Sequence, residues 1–266
     1  MLQSLFLVLI PLQPLSPAVD NGTATTVRAE DPAPLPDKRP EVEQLLASFK
    51  AHTEKKGSED RDAIAVIDKL IPEFSTSGPK DRAAIVAALG KVFDLRRNEE
   101  KEGVPNNGLY VSSATALGVM GPESSKTIVA AIDNKNLKKQ IAVRTTLIRS
   151  LGKTKDTKEA VEPLIGLLQD KDSPIVSAAG EALGEFSGAD LAIRKKAFEA
   201  LLKVVTAAKD LTESDTNNTT ARERYDSINS AFVTSLGKLS KHDERNPDKW
   251  RDWWNKNKAK NWDDMK

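Results

Sequence analysis

The chain has 266 residues, of which 40 are basic, 39 are acidic and none is cysteine. The balanced charge leaves no strongly basic domain of the kind that binds nucleic acid, and the missing cysteines exclude disulfides, thiolate catalysis and sulfur-bound zinc. Aromatic residues make up only 5%, so leucine, isoleucine, valine and alanine must build the core. The chain also lacks long alternating strand patterns, and we therefore expect an all-α fold.

Residues 1–18 have the features of a secretory signal peptide. An uncharged apolar run begins at Leu5 and reaches Leu15, which fits a signal and is too short for a membrane span of about 20 residues. Small residues place the cleavage site after Ala18, with a weaker alternative after Ala24. No lysine or arginine precedes the run, so an uncleaved membrane anchor is the main alternative. We expect an exported protein in the periplasm, the cell envelope or the medium.

Residues 19–39 are rich in proline and small polar residues and poor in apolar ones. Such a segment buries too little apolar surface to offset the entropy of ordering it. The composition therefore predicts a disordered linker that ends where the helical pattern begins.

From Pro40 onward, apolar residues recur three and four positions apart, as on one face of a helix. Successive stripes are separated by short turns rich in glycine, proline, aspartate, asparagine and serine. Many short amphipathic helices in series are typical of a repeat protein. We therefore expect a helical repeat domain over residues 40–241.

A signature of a small residue, leucine and glycine recurs within this domain. Its five copies are Ala88-Leu89-Gly90, Ala116-Leu117-Gly118, Ser150-Leu151-Gly152, Ala182-Leu183-Gly184 and Ser235-Leu236-Gly237. In the last four copies, the residues eight and four before the leucine also suit one buried helix face. The first copy has Asp81 eight residues before Leu89, so it is either degenerate or part of a different helix of its unit.

The clearest unit runs from Glu159 to Gly188 and contains two apolar helices joined by Gln169-Asp170-Lys171-Asp172. It resembles a bacterial short-type HEAT repeat, the type also found in phycobilin lyases, and residues 124–156 resemble a second copy. The resemblance implies a HEAT/armadillo-like right-handed α-solenoid of about five helix pairs. It also implies that the second helix of each pair lines an inner groove.

Two stretches interrupt the helical pattern. Residues 98–107 and 210–220 are polar, and their composition predicts loops. Loops on a rigid scaffold often carry recognition residues, although a tolerated insertion explains both equally simply.

Residues 242–266 contain all four tryptophans of the chain. Trp250, Trp253 and Trp254 fall on one face if Asp248 begins a helix. The segment is expected to be either a cap that covers the last repeat or an exposed aromatic platform that binds a partner. Its W-x-x-W-W pattern resembles tails that follow HEAT repeats in exported bacterial proteins.

Catalytic patterns are missing from the sequence. Its two histidines, His52 and His242, do not begin the His-Glu pairs that bind iron in HEAT-fold hydroxylases, and it has no Gly-rich phosphate-binding motif. We therefore expect a non-enzymatic scaffold without cofactor or metal, which binds another protein or a peptide and no nucleic acid. Membrane contact is expected only through an uncleaved amino-terminal segment.

The candidate groove residues are Tyr110, Arg144 and Asn229, which each lie seven positions before a repeat leucine. Arg144 has a second interpretation as a structural turn contact. Trp250, Trp253 and Trp254 are further binding candidates. Two other functions stay open: a HEAT-fold lyase or factor that handles a chromophore or cofactor, as the lyase resemblance implies, and a purely structural envelope component.

Overall fold

The computed structural model describes residues 35–96 and 106–265, and all regular elements in these ranges are helical. The α-helices are α1 Pro40–Thr53, α2 Asp60–Thr76, α3 Pro79–Lys91, α4 Gly108–Val119, α5 Ser125–Ile132, α6 Ile141–Lys153, α7 Thr157–Leu167, α8 Ser173–Gly184, α9 Leu191–Ser214, α10 Thr219–Ser240 and α11 Pro247–Asn257. Short 3-10 turns follow several of them. The predicted signal peptide lies outside the described residues, as does nearly all of the predicted loop at 98–107.

The first ten helices form five pairs, from α1–α2 to α9–α10. The second helices stack in one layer, in which α2 packs on α4, α4 on α6, α6 on α8 and α8 on α10. The first helices form the other layer, with α3 beside α5, α5 beside α7 and α7 beside α9. The expected all-α, HEAT-like solenoid of five helix pairs is thereby confirmed.

The repeat leucines mark the buried face of the second helices. Leu117, Leu151, Leu183 and Leu236 lie in α4, α6, α8 and α10, and each is fully buried. The residues eight and four positions before them are fully buried as well. Leu89 belongs to α3, which is a first helix. The exceptional first copy of the signature is therefore a different helix of its unit.

The glycine of the signature permits close packing between neighbouring second helices. A Cβ atom at Gly152 would lie 2.7 Å from the Cα atom and the carbonyl oxygen of Ala182. The same atom at Gly118 would lie 2.9 Å from the Cβ atom of Ser150, and at Gly184 it would lie 2.5 Å from the Oγ atom of Ser235. Each glycine thus lies against the small residue that precedes the next repeat leucine.

The last helix pair is the longest of the five. Helix α9 has 24 residues and α10 has 22, and only residues 215–218 separate them. The predicted loop at 210–220 is therefore wrong for most of its length. Residues 210–214 and 219–220 lie on helical turns instead. Asn218 caps α10 by accepting a hydrogen bond from the backbone N–H of Ala221 at 2.9 Å.

Residues 35–39 contact the start of α3, although the sequence assigns them to the linker. The backbone N–H groups of Lys38 and Arg39 donate to the carboxylate of Asp81 at 2.9 and 3.0 Å. In return, the Asp37 carboxylate accepts from the backbone N–H of Lys80 at 2.8 Å. The linker prediction is thus wrong for residues 35–39, and residues 19–34 lie outside the described part of the chain.

The close contact at Gly152 predicts that Gly152→Ala lowers the free energy of unfolding by about 1–3 kcal/mol, the usual cost of overpacking. The added methyl group would force α6 and α8 apart, because its neighbours are backbone atoms. Urea unfolding followed by far-ultraviolet circular dichroism measures the change.

The matched control is Gly166→Ala in α7, where nothing lies within 4 Å of the added Cβ atom. This change should raise stability by about 0.5–1 kcal/mol, because alanine restricts the unfolded chain more than glycine does. Equal stability of the two variants would contradict the packing role of Gly152.

Candidate binding groove

A groove of about 610 Å³ runs across the second helices α6, α8 and α10. Eight of its twelve lining residues stand six or two positions before the repeat leucine or two after it. On α8 and the 3-10 turn that follows it, these are Ser177, Glu181 and Glu185, and in α10 they are Ser230, Thr234 and Lys238. Helix α6 contributes Arg149 and Lys153. The second helix of each pair therefore forms the groove surface.

Helix geometry explains this choice of positions. Successive residues are rotated by about 100°, so positions two before and two after the leucine point about 160° away from it. The leucine itself faces the core, and these positions consequently face solvent. We call the three sets the −6, −2 and +2 rows.

Ion pairs link the charged groups of neighbouring helices in the groove. The Arg149 guanidinium lies 2.5 Å from the Glu181 carboxylate. The Glu185 carboxylate accepts from Lys155 at 2.7 Å and from Lys238 at 3.1 Å. These lysines, chiefly Lys155, hold the pKa of Glu185 below its ordinary value. Both groove carboxylates are thus paired with cations.

Lys153 differs from the other groove cations. Its side chain is exposed, and its ammonium group makes no ion pair or hydrogen bond within residues 35–96 and 106–265. It stands in the +2 row, where Glu185 and Lys238 follow it on α8 and α10. The groove therefore holds one cation that is available to a bound group.

The same rows continue onto α4 with a different chemistry. Val111, Thr115 and Val119 occupy the −6, −2 and +2 positions of this helix. Val119 is 63% exposed, which is unusual for a large aliphatic side chain in this protein. The surface of the second helices thus changes from aliphatic on α4 to charged on α6 and its successors.

The predicted groove residues lie elsewhere. Tyr110 is 2% exposed, donates its hydroxyl to the carbonyl of Leu95 at 2.5 Å and stacks on Phe93. Its predicted position in the groove is wrong, because seven residues span nearly two complete helical turns and place it close to the buried leucine stripe. The groove residues can be identified in the sequence at positions six and two before the repeat leucine and two after it.

Arg144 makes the structural turn contact that was its second interpretation. Its guanidinium lies 3.1 Å from the carboxylate of Asp170, and the side chain is only 11% exposed. Arg224 of α10 donates to the carbonyl of the same Asp170 at 2.9 Å. The α7–α8 turn is thereby held between two neighbouring repeats, and Arg144 borders a separate pocket beside this turn.

Asn229 is half-buried and lines a second pocket, of about 670 Å³, at the end of α10. This pocket shares Ser230 and Thr234 with the groove. The Oδ1 atom of Asn229 is buried and has no hydrogen-bond partner among the described residues. Of the three candidates seven before a repeat leucine, Asn229 is the one that adjoins the groove surface.

The tryptophans form a cluster around Phe198 of α9. The ring centroids of Trp250, Trp253, Trp254 and Trp262 lie 5.3–5.6 Å from that of Phe198. Trp250 and Trp262 are buried, whereas Trp253 and Trp254 are half-buried. Helix α11 therefore covers the end of the first-helix layer. Trp250 is not on an exposed platform, since its side chain is inside this cluster.

Ion pairs surround the aromatic cluster. The Lys209 ammonium lies 2.6 Å from the Asp248 carboxylate, and Asp263 pairs with the buried Arg194 at 2.9 Å and with Lys241 at 3.1 Å. The hydrogen bond from Lys209 lowers the pKa of Asp248, and that from Lys241 lowers the pKa of Asp263. The pKa of Lys209 is raised in turn. The cap is thus fixed to α9 by both aromatic and ionic contacts.

The described residues have neither a metal-binding cluster nor a membrane-spanning helix. They contain no group of three histidine, cysteine or acidic side chains placed to hold a metal ion. Among the described helices, none combines the length and apolar character needed to cross a membrane.

Comparison with known families agrees with this geometry. The model for HEAT repeats matches residues 135–216, a segment that contains α6, α7, α8 and α9. The class that the fold defines is therefore that of a HEAT-like α-solenoid, and residues 135–216 are similar to HEAT repeats. No curated protein and no solved structure matches the chain. HEAT repeats are commonly scaffolds for protein interaction, and the family is generally non-catalytic.

The ion pairs of the cap predict acid sensitivity. Because the pKa values of Asp248 and Asp263 are lowered in the folded state, their stabilisation is complete above the ordinary aspartate pKa of about 3.9 and is lost as the pH falls through the folded values. Tryptophan emission should shift to longer wavelength below about pH 4, before the helical circular dichroism signal declines. All four tryptophans lie in this segment, so the emission reports on the cap alone.

Two variants of α11 separate this effect from a general loss of charge. Asp248→Asn should loosen the cap at neutral pH, because Lys209 then keeps only Glu213 of its own helix as a partner and loses its ion pair with α11. Asp252→Asn removes an exposed carboxylate without an ion pair in the described chain, and emission should stay as in the parent protein. Loss of the helical signal together with the emission shift would contradict a separately loosening cap.

Proposed function

We propose that this protein is a non-enzymatic scaffold that binds another protein or a peptide through the groove of α6, α8 and α10. The observation that carries the proposal is the open groove itself, which places charged and hydroxyl side chains in three regular rows. The helices beneath these rows pack through buried leucines and close glycine contacts. A rigid surface loses little conformational entropy on binding, so even a shallow groove can bind usefully.

The proposed place of action is the cell envelope or the exported space. Its support comes from sequence features, namely the apolar run that begins at Leu5 and the small residues before the cleavage position at Ala18. The resemblance of the W-x-x-W-W tail to tails of exported bacterial HEAT proteins agrees with it. A partner would then be another exported or envelope protein.

Site-specific photocrosslinking tests the scaffold proposal. A photoreactive amino acid at Ser230 in the groove should crosslink to a discrete protein of the native envelope fraction. The control position is Lys158, an exposed residue of α7 in the first-helix layer, from which we expect no such product. Crosslinks from position 158 alone, or from neither position, would refute binding through the groove.

A second measurement uses the partner identified by that crosslink. Lys153→Glu should weaken its binding about tenfold, equivalent to about 1.4 kcal/mol, because it reverses the unpaired charge of the groove. Lys158→Glu makes the same change of charge on the other layer and should leave the dissociation constant unchanged.

A further inference from the structure

We propose that the groove and its continuation on α4 bind a peptide segment in the extended polyproline II conformation, in which an aliphatic residue and an acidic residue stand three positions apart. The acidic side chain pairs with Lys153, and the aliphatic one packs on Val119 of the neighbouring helix α4. The inference rests on the proposed scaffold function and specifies the chemistry of its partner.

The charge of the groove selects an acidic partner. The groove is lined by three cations, Arg149, Lys153 and Lys238, and by two carboxylates, Glu181 and Glu185. Both carboxylates already have cationic partners, Glu181 in Arg149 and Glu185 in Lys238 and in Lys155 beside the groove. A basic ligand would have to displace those cations, whereas an acidic ligand finds Lys153 without a partner among the described residues. Charge complementarity of this kind fixes the register of a bound chain and its preferred partner.

The neighbouring position in the +2 row selects an aliphatic side chain. Val119 is 63% exposed, and Val111 stands eight residues earlier on the same side of α4. Covering such surface with an apolar side chain removes it from water and favours binding by about 25 cal/mol per Å². The acidic residue thus has a partner on α6, and the aliphatic residue has one on the adjacent helix α4.

The spacing of the two contacts follows from the close packing of the helices. Gly118 of α4 lies against Ser150 of α6 with no space for a Cβ atom. The axes of packed helices are usually about 8–10 Å apart. A peptide in the polyproline II conformation advances about 3.1 Å per residue with three residues per turn, so side chains three positions apart lie on one face, about 9 Å apart. About three residues thus separate side chains that reach equivalent positions on α4 and α6.

The alternating chemistry of the +2 row disfavours a polyanion. Val119, Lys153, Glu185 and Lys238 succeed one another along the row. A nucleic acid or an anionic membrane presents closely spaced negative charges, which would meet Glu185 as well as the lysines. A peptide can instead place one carboxylate at Lys153 and uncharged residues elsewhere.

Selection from a phage-displayed library of random linear peptides tests the inference on the full chain. We expect enriched peptides to carry an aspartate or glutamate three positions from a leucine, isoleucine or valine. Synthetic copies labelled with fluorescein should bind Lys153→Glu about tenfold more weakly in fluorescence anisotropy. Val119→Ser should cost about fivefold for these peptides, and nothing for copies whose aliphatic residue is replaced by serine. Both altered side chains are exposed, and Lys158→Glu is the matched control.

Each other outcome overturns the inference in a distinct way. Enriched peptides that are basic or uncharged, yet are lost in Lys153→Glu, would refute the acidic partner and retain the groove as the binding surface. Enriched peptides that bind all variants equally would refute the groove as well. An absence of enrichment, or binding of the chain to single-stranded DNA or to phosphatidylglycerol vesicles with loss in Lys153→Glu, would also refute the peptide proposal.

Discussion

Neighbouring second helices in this protein meet through glycine. Gly118, Gly152 and Gly184 each lie against the small residue that precedes the next repeat leucine, and there is no space for a Cβ atom between them. Leucines on the buried face supply most of the apolar contact, but the glycines set how closely the helices approach. The regular rows of the groove exist because this contact recurs with the same register from α4 to α10.

The segments that flank the ten repeat helices are attached to them by different interactions. At the carboxyl end, tryptophans and ion pairs attach α11 to α9, in the first-helix layer. At the other end, residues 35–39 exchange hydrogen bonds with the start of α3. Helix α10 keeps an open surface, with Asn229 and Ser230 beside a pocket. Covering mainly one layer satisfies the exposed core of the last repeat and leaves the groove side accessible.

Helical rotation places the groove surface at positions other than the one seven before the repeat leucine. Counting seven residues back from the repeat leucine selects Tyr110, Arg144 and Asn229, which point almost the same way as the leucine itself and are wholly or partly buried. Polar composition was also a poor guide at residues 210–220, because helical turns on the protein surface tolerate polar residues as readily as loops do. In both cases helical rotation angle was the more informative quantity.

The sequence by itself determined the helical class, the pairing of the helices and the leucine register, because each depends on local periodicity and on turn residues within a few positions. It also indicated that the tryptophans act together. Only the tertiary structure decided that Phe198 is the centre of their cluster, that Arg144 holds a turn of the next repeat and that Lys153 has no ionic partner among the described residues. These facts depend on side chains distant in the sequence, whose meeting is fixed by how closely the helices pack.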